Sequence, residues 1–268
     1  MVLAMGLVIA LPACSEQRGN RTVVASFYPL AWAAERIAGP GWDVIDLTPP
    51  GVEAHDVELT LEDRAAIEDA DVIVYLGNIG FQPQVEQAVD DARGRVLDAA
   101  SFVAANPRRD PHIWLQPAHM VRIAEAIASR IPGSSPREVQ ADLLKLGEAY
   151  ATGLGDCRYE TALVSHEAFG YLADNYGFRQ FGLTGVTPES EPTAARLAEA
   201  RRLIDDGEAG AVFFEAGGET QRAIDNLAAD ASVPALPLST LESEPLSGDY
   251  ISVMEDNLES LRQGLGCE

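Results

Sequence analysis

"TVVASFYPLAWAAERIAG" (Thr22–Gly39) decides the fold, because "TALVSHEAFGYLADNYG" (Thr161–Gly177) repeats it in the second half of the chain. Each reads as an apolar strand, a serine, an aromatic or imidazole ring, then an amphipathic helix. Ser165 falls on Ser26 and His166 on Phe27. The echo continues. "ADVIVYLGN" (Ala70–Asn78) matches "AGAVFFEAGG" (Ala209–Gly218), and the intervening strands are "DVIDLTPPG" (Asp43–Gly51) and "FRQFGLTGV" (Phe178–Val186). Helices follow at Leu61–Ala70 and Thr193–Asp206. Continuous apolar strands alternating with amphipathic helices predict parallel sheets covered on both faces. The expected fold class is α/β: two similar lobes, each a mostly parallel sheet flanked by helices.

Between the lobes lies "SPREVQADLLKLGEAYATGL" (Ser135–Leu154). Val139, Leu143, Leu146 and Tyr150 recur at helical spacing, Ser135 can cap and Pro136 suits the first helical position. A stiff linking helix, rather than a flexible linker, is expected over residues 135–156. The predicted boundaries are a leader at 1–13, a tether at 14–21, lobes at 22–134 and 157–268, and the helix between them.

The first residues, "MVLAMGLVIALPAC", are apolar and too short to span a bilayer. They read as the apolar part of a secretory signal ending in a lipobox-like Leu11-Pro12-Ala13-Cys14. Cys14 is then the lipidation site, and an ordinary signal peptide is the alternative. The body is expected outside the cell, anchored by lipid to the outer face of the cytoplasmic membrane. That compartment permits disulfides, so the two remaining cysteines, Cys157 and Cys267, are expected to form one, with two free thiols as the alternative.

The 42 acidic and 19 basic residues leave a net charge of −23. A surface of that sign repels phosphate backbones and anionic headgroups, which argues against nucleic acid as a partner.

The chain has four histidines. His55 lies in "PPGVEAHDVELT", a loop after the second strand. His112 lies in "DPHIWLQP" just ahead of a helix, and His166 directly follows a strand. His119 sits within a helix and has an ordinary packing explanation. The first three all fall in strand-to-helix connections, where open α/β sheets bind ligands. They are far apart in sequence and lack HExxH or CxxC spacing, so a local metal knuckle is excluded. They can meet only in the cleft between lobes.

These motifs, with "ESEPTAARLAEA", "AVFFEAGG" and "DYISVMEDNLESL", resemble the solute-binding lipoproteins that deliver zinc or manganese to ABC importers, and most closely their zinc-specific branch. The resemblance spans nearly the whole mature chain. It implies two α/β lobes on one long helix, no enzymatic activity, and His55, His112 and His166 as metal ligands. It implies a fourth ligand from a carboxylate near the "Y…M…N" segment, taken as Asp249 although the family's aspartate aligns with Gly248. Water and Glu53 are the alternatives, and Glu215 is expected to support a ligand from behind. Gln116 stands where relatives carry aspartate, and no His-rich loop occurs near residues 103–110. The implied partners are an ABC permease and its ATPase, with the receptor a monomer.

Three imidazoles with at most one carboxylate favour Zn(II) as the transported ion over Mn(II), which prefers more oxygen. Binding is expected to weaken below about pH 6, since protonated imidazole cannot ligate (reference pKa ~6.5). Two other readings are a zinc hydrolase with Glu167 as base, and an adhesin-like module with a structural metal.

Overall fold

The repeated phrase becomes strand β1 (Arg21–Ala25) and helix α1 (Tyr28–Ala38) in the first half, and β5 (Thr161–Val164) and α6 (Gly170–Tyr176) in the second. The structure, a computed structural model, describes residues 20–103, 110–186, 191–216, 218 and 220–268. The leader, Cys14 and the tether up to residue 19 lie outside the described residues, as do 104–109 of the loop expected to lack histidine. Arg21, taken as the last residue of the tether, already belongs to β1.

In the first half β2 (Trp42–Asp46), α2 (Leu61–Asp69), β3 (Val72–Tyr75), α3 (Pro83–Ala88), β4 (Arg95–Asp98) and α4 (Pro117–Arg130) follow. The second half continues with β6 (Arg179–Gly182), α7 (Ala194–Asp205), β7 (Val212–Phe214), α8 (Gln221–Ala231), β8 (Ala235–Pro237) and α9 (Tyr250–Leu265). The sheets have the orders β2-β1-β3-β4 and β6-β5-β7-β8, every pairing parallel. The internal repeat is thus a repeat of topology.

Strand residues alternate between two environments, as the pleat requires. Val24 and Ile73 point to an outer cluster with Ile67 and Val85 beneath α2 and α3. Leu163 and Val212 do the same beneath α7 and α8, with Ile224 and Leu227. Their neighbours Val23, Val72, Val74, Ala162, Val164 and Phe213 face inward. With α1, α4, α6 and α9 they build one apolar core that runs without a break from the first sheet to the second.

The linking helix, α5, spans Arg137–Gly153 and buries Val139, Leu143, Leu146 and Tyr150. Pro136 caps it rather than opening it; the Ser135 hydroxyl lies 3.5 Å from the Arg137 N–H. The helix packs on α4 from the first half and α9 from the second. Tyr150 donates from its hydroxyl to the Met254 carbonyl at 2.7 Å. Cys157 and Cys267 form a disulfide that pins the end of the chain just beyond α5.

Candidate metal centre

The carboxyl ends of both sheets point to the seam between the halves. His55 sits in a 3-10 turn, Ala54–Asp56, after β2. The turn is held in place because α2 begins immediately afterwards with a reciprocal capping box between Thr60 and Asp63. The imidazole packs edge-on against Phe81, ring centroids 4.6 Å apart.

His112 precedes a second 3-10 turn, Ile113–Leu115, and is completely buried. Asp110 fixes it twice: its Oδ1 accepts the His112 backbone N–H at 3.0 Å and lies 2.8 Å from Nδ1. That contact keeps the proton on Nδ1 and leaves Nε2 as the ligand atom. Gln116 caps α4 by accepting the Ala118 N–H at 2.7 Å.

His166 follows β5. Its Nδ1 lies 3.0 Å from Glu215 Oε2, although the two are not aligned as a hydrogen bond. Glu215 also accepts from Ser165 Oγ at 3.4 Å and from the Thr240 hydroxyl. It lies behind the His166 ring.

These three imidazoles converge with Glu242, a residue the sequence reading missed. One ligand atom from each of His55, His112, His166 and Glu242 lies within 4.8 Å of the others. Glu242 Oε1 is 3.4 Å from His55 Nε2, 3.5 Å from His112 Nε2 and 3.9 Å from His166 Nε2. The His112 and His166 Nε2 atoms are 3.3 Å apart. Four donors at 2.0–2.1 Å around a tetrahedral ion would be separated by about 3.3 Å. The protein therefore brings its donors nearly to coordination spacing.

Polar satisfaction points the same way. His55 Nε2 and both Glu242 oxygens are buried without a hydrogen-bond partner among the described residues. Orphaned atoms of this kind are costly, and a shared cation satisfies all of them at once.

Charges in the cluster shift one another. Burial alone would depress the His112 pKa; the Asp110 and Glu242 carboxylates outweigh it and push it up to about 9. Burial would raise Glu242, but the neighbouring His112 and His55 rings hold it below the usual carboxylate range.

Asp249 is not part of this cluster, and its assignment as fourth ligand is corrected. It caps α9: its Oδ1 accepts from the Ser252 N–H and hydroxyl, both at 3.1 Å. Its Oδ2 faces the Trp32 indole N–H at 3.4 Å and Arg36 at 3.9 Å, and the side chain is 45% exposed. A carboxylate occupied with a helix N-terminus at the surface cannot also enter a buried cluster. The repeat itself holds the signal for Glu242. His112 lies between the fourth strand of its sheet and the next inner helix, and Glu242 occupies the same connection in the second half.

Glu53 lies outside the four. Burial first, then the Glu215 and Glu242 carboxylates, raise its pKa to about 7. Glu167, the base a hydrolase would need, is paired to Arg196 at 2.8 Å.

Two parallel-sheet lobes presenting a buried three-imidazole, one-carboxylate cluster at their seam define the class: a two-lobed α/β protein whose donors suit a single divalent cation. Comparison with known proteins sharpens that class. Residues 23–264 match the family described as zinc-uptake complex component A, periplasmic, and the chain belongs to it. It is a family of uptake receptors, not of enzymes. The chain is 29% identical over 301 residues to the zinc-binding lipoprotein AdcA of Streptococcus pneumoniae, covering 98% of this chain but 60% of that protein. The chain thus spans about three-fifths of the length of such relatives. The high-affinity zinc uptake system protein ZnuA of Bacillus subtilis is 28% identical and is covered over 90% of its length. Among solved structures, the Zn(II)-bound ZnuA-like domain of S. pneumoniae AdcA superposes with a TM-score of 0.78 at 29% identity, covering 92% of this chain and 99% of that one. The metal-dependent lipoprotein YcdH of B. subtilis gives 0.79 at 29% identity with the same coverage.

Proposed function

We propose that this chain is an extracytoplasmic Zn(II) receptor that captures the ion in the interlobe seam and hands it to an ABC importer permease. His55, His112, His166 and Glu242 are the ligands. The observation that carries the reading is the convergence of those four donor atoms within 4.8 Å, two of them, His55 Nε2 and Glu242 Oε1, buried with no hydrogen-bond partner among the described residues. Three neutral nitrogens and one carboxylate suit Zn(II) better than Mn(II). Family membership supports delivery to a permease and its ATPase. Relatives named as lipoproteins support lipidation of Cys14 and attachment to the outer face of the cytoplasmic membrane, and the receptor is read as a monomer. Among the described residues no helix is long and apolar enough to cross a bilayer, which fits attachment through lipid.

The test is competitive binding of Zn(II), Mn(II) and Cu(II) to metal-stripped protein, with His112→Ala alongside. Zinc should bind more tightly than manganese. The variant should lose at least about tenfold in zinc affinity while remaining folded. Unchanged affinity in His112→Ala would sink the reading.

A further inference from the structure

His112 and Glu242 are held in place by opposite means. Asp110 grips the His112 side chain directly. No described residue donates a hydrogen bond to either Glu242 oxygen. Its Oε1 is approached by the three imidazoles it would share an ion with, so the backbone that carries Glu242 does much to set where the carboxylate lies.

That backbone is unusually constrained. Leu238, directly after β8, donates its N–H to the Phe214 carbonyl at 2.8 Å. Asn257, buried on α9, then holds Ser239 from both sides. Its Oδ1 accepts the Ser239 N–H at 2.8 Å and its Nδ2 donates to the Ser239 carbonyl at 2.7 Å. The Thr240 carbonyl accepts the Trp114 indole N–H at 2.7 Å, and the Trp114 carbonyl accepts the Tyr250 hydroxyl at 2.5 Å. Leu241 follows in the left-handed region, φ 55°, with its N–H on Ser239 Oγ at 3.1 Å. A buried non-glycine residue held there is a strain the surroundings must enforce. The result is a sharp reversal that delivers Glu242 to the histidines.

We propose that Asn257 is the positioning residue for the fourth ligand: by clamping Ser239 it fixes the left-handed turn at Leu241 and thereby aims the Glu242 carboxylate. This rests on the zinc reading above and deepens it. A buried asparagine on a helix is poorly accommodated unless paired. Apart from a 3.9 Å approach to Met254 Sδ, all the partners of its side-chain amide are on the Glu242 loop.

The experiment is a double-mutant cycle in zinc affinity, measured by chelator competition on the full chain, with thermal melts followed by circular dichroism. Asn257→Ala should weaken zinc about tenfold with a cooperative melt retained. In an Glu242→Gln background the same change should cost less than about twofold, because there is no carboxylate left to aim. Asn257→Asp keeps the volume and the acceptor for the Ser239 N–H but sets an oxygen against the Ser239 carbonyl. It should weaken zinc in the same background-dependent way, and it carries the test if Asn257→Ala does not fold. Equal losses in both backgrounds, or no loss in either Asn257 variant, would overturn the proposal. His112→Ala distinguishes the two levels: if it and Glu242→Gln bind zinc like the parent protein, the site reading itself fails.

Discussion

The two halves share a topology but not a chemistry at matched positions. Where the second places His166 after its first strand and Glu215 after its third, the first places Phe27 and Leu76, both buried. Phe27 packs against Trp114 and Phe81 at 4.6 and 5.2 Å and forms an apolar wall beside the cluster. The first half supplies its ligands later, His55 after the second strand and His112 after the fourth. The second half also uses its fourth connection, for Glu242. The same scaffold position can thus be either a wall or a ligand. The four donors thus come from the second and fourth connections of the first half and the first and fourth of the second.

Making the halves alike is the strongest way to break the site. His166→Phe should remove a donor and cost more than the about 10–100-fold typical of losing an outer partner. Chelator competition measures it, and affinity near that of the parent protein would contradict the ligand set. The supporting carboxylates should rank next. Asp110→Asn, in the first half, removes an aligned contact and is expected to cost about 10–100-fold. Glu215→Gln, whose approach to His166 is close but misaligned, should cost less, and the reverse order would show that distance outweighs alignment here.

Acidity should act mainly through the first half. His112 is raised to about 9, so the metal-free protein carries a proton there at neutral pH, and zinc must displace it. Affinity should rise by about tenfold per pH unit up to about 9, with one proton released per ion, which calorimetry in buffers of different ionisation enthalpy can count. This moves the sensitive range well above the reference value for histidine. A raised folded-state pKa also means that this proton stabilises the metal-free fold fully below the unfolded value. That contribution is lost as pH climbs through about 9. The smallest effect is expected at Asp249→Ala. Zinc affinity should be unchanged, and loss of the α9 cap should lower stability by about 1 kcal/mol in a denaturant titration.

Much of this was legible before any coordinates. Strands buried on both faces are continuous apolar runs, so β1, β3, β5 and β7 stood out, and their order repeated. With only four histidines in the chain, three in strand-to-helix connections were a strong signal. Strands β4 (Arg95–Asp98) and β8 (Ala235–Pro237) are no longer than the others but are broken by charged residues or proline, so neither reads as a continuous apolar run. Glu242 was hidden for a different reason. It is one of 42 acidic residues, and what singles it out is a left-handed turn and a clamp from a distant helix, neither of which has a local signature. Asp249 misled because an aspartate that caps a helix and one that binds a cation sit in the same kind of place, just ahead of a helix.

The unbroken apolar core between the sheets makes each half depend on the other. A gene cut within α5 would encode two fragments, each with a bare oily flank and neither able to hide it alone. The molecule should therefore melt in a single calorimetric step, and either half made alone should pair or aggregate rather than stay monomeric.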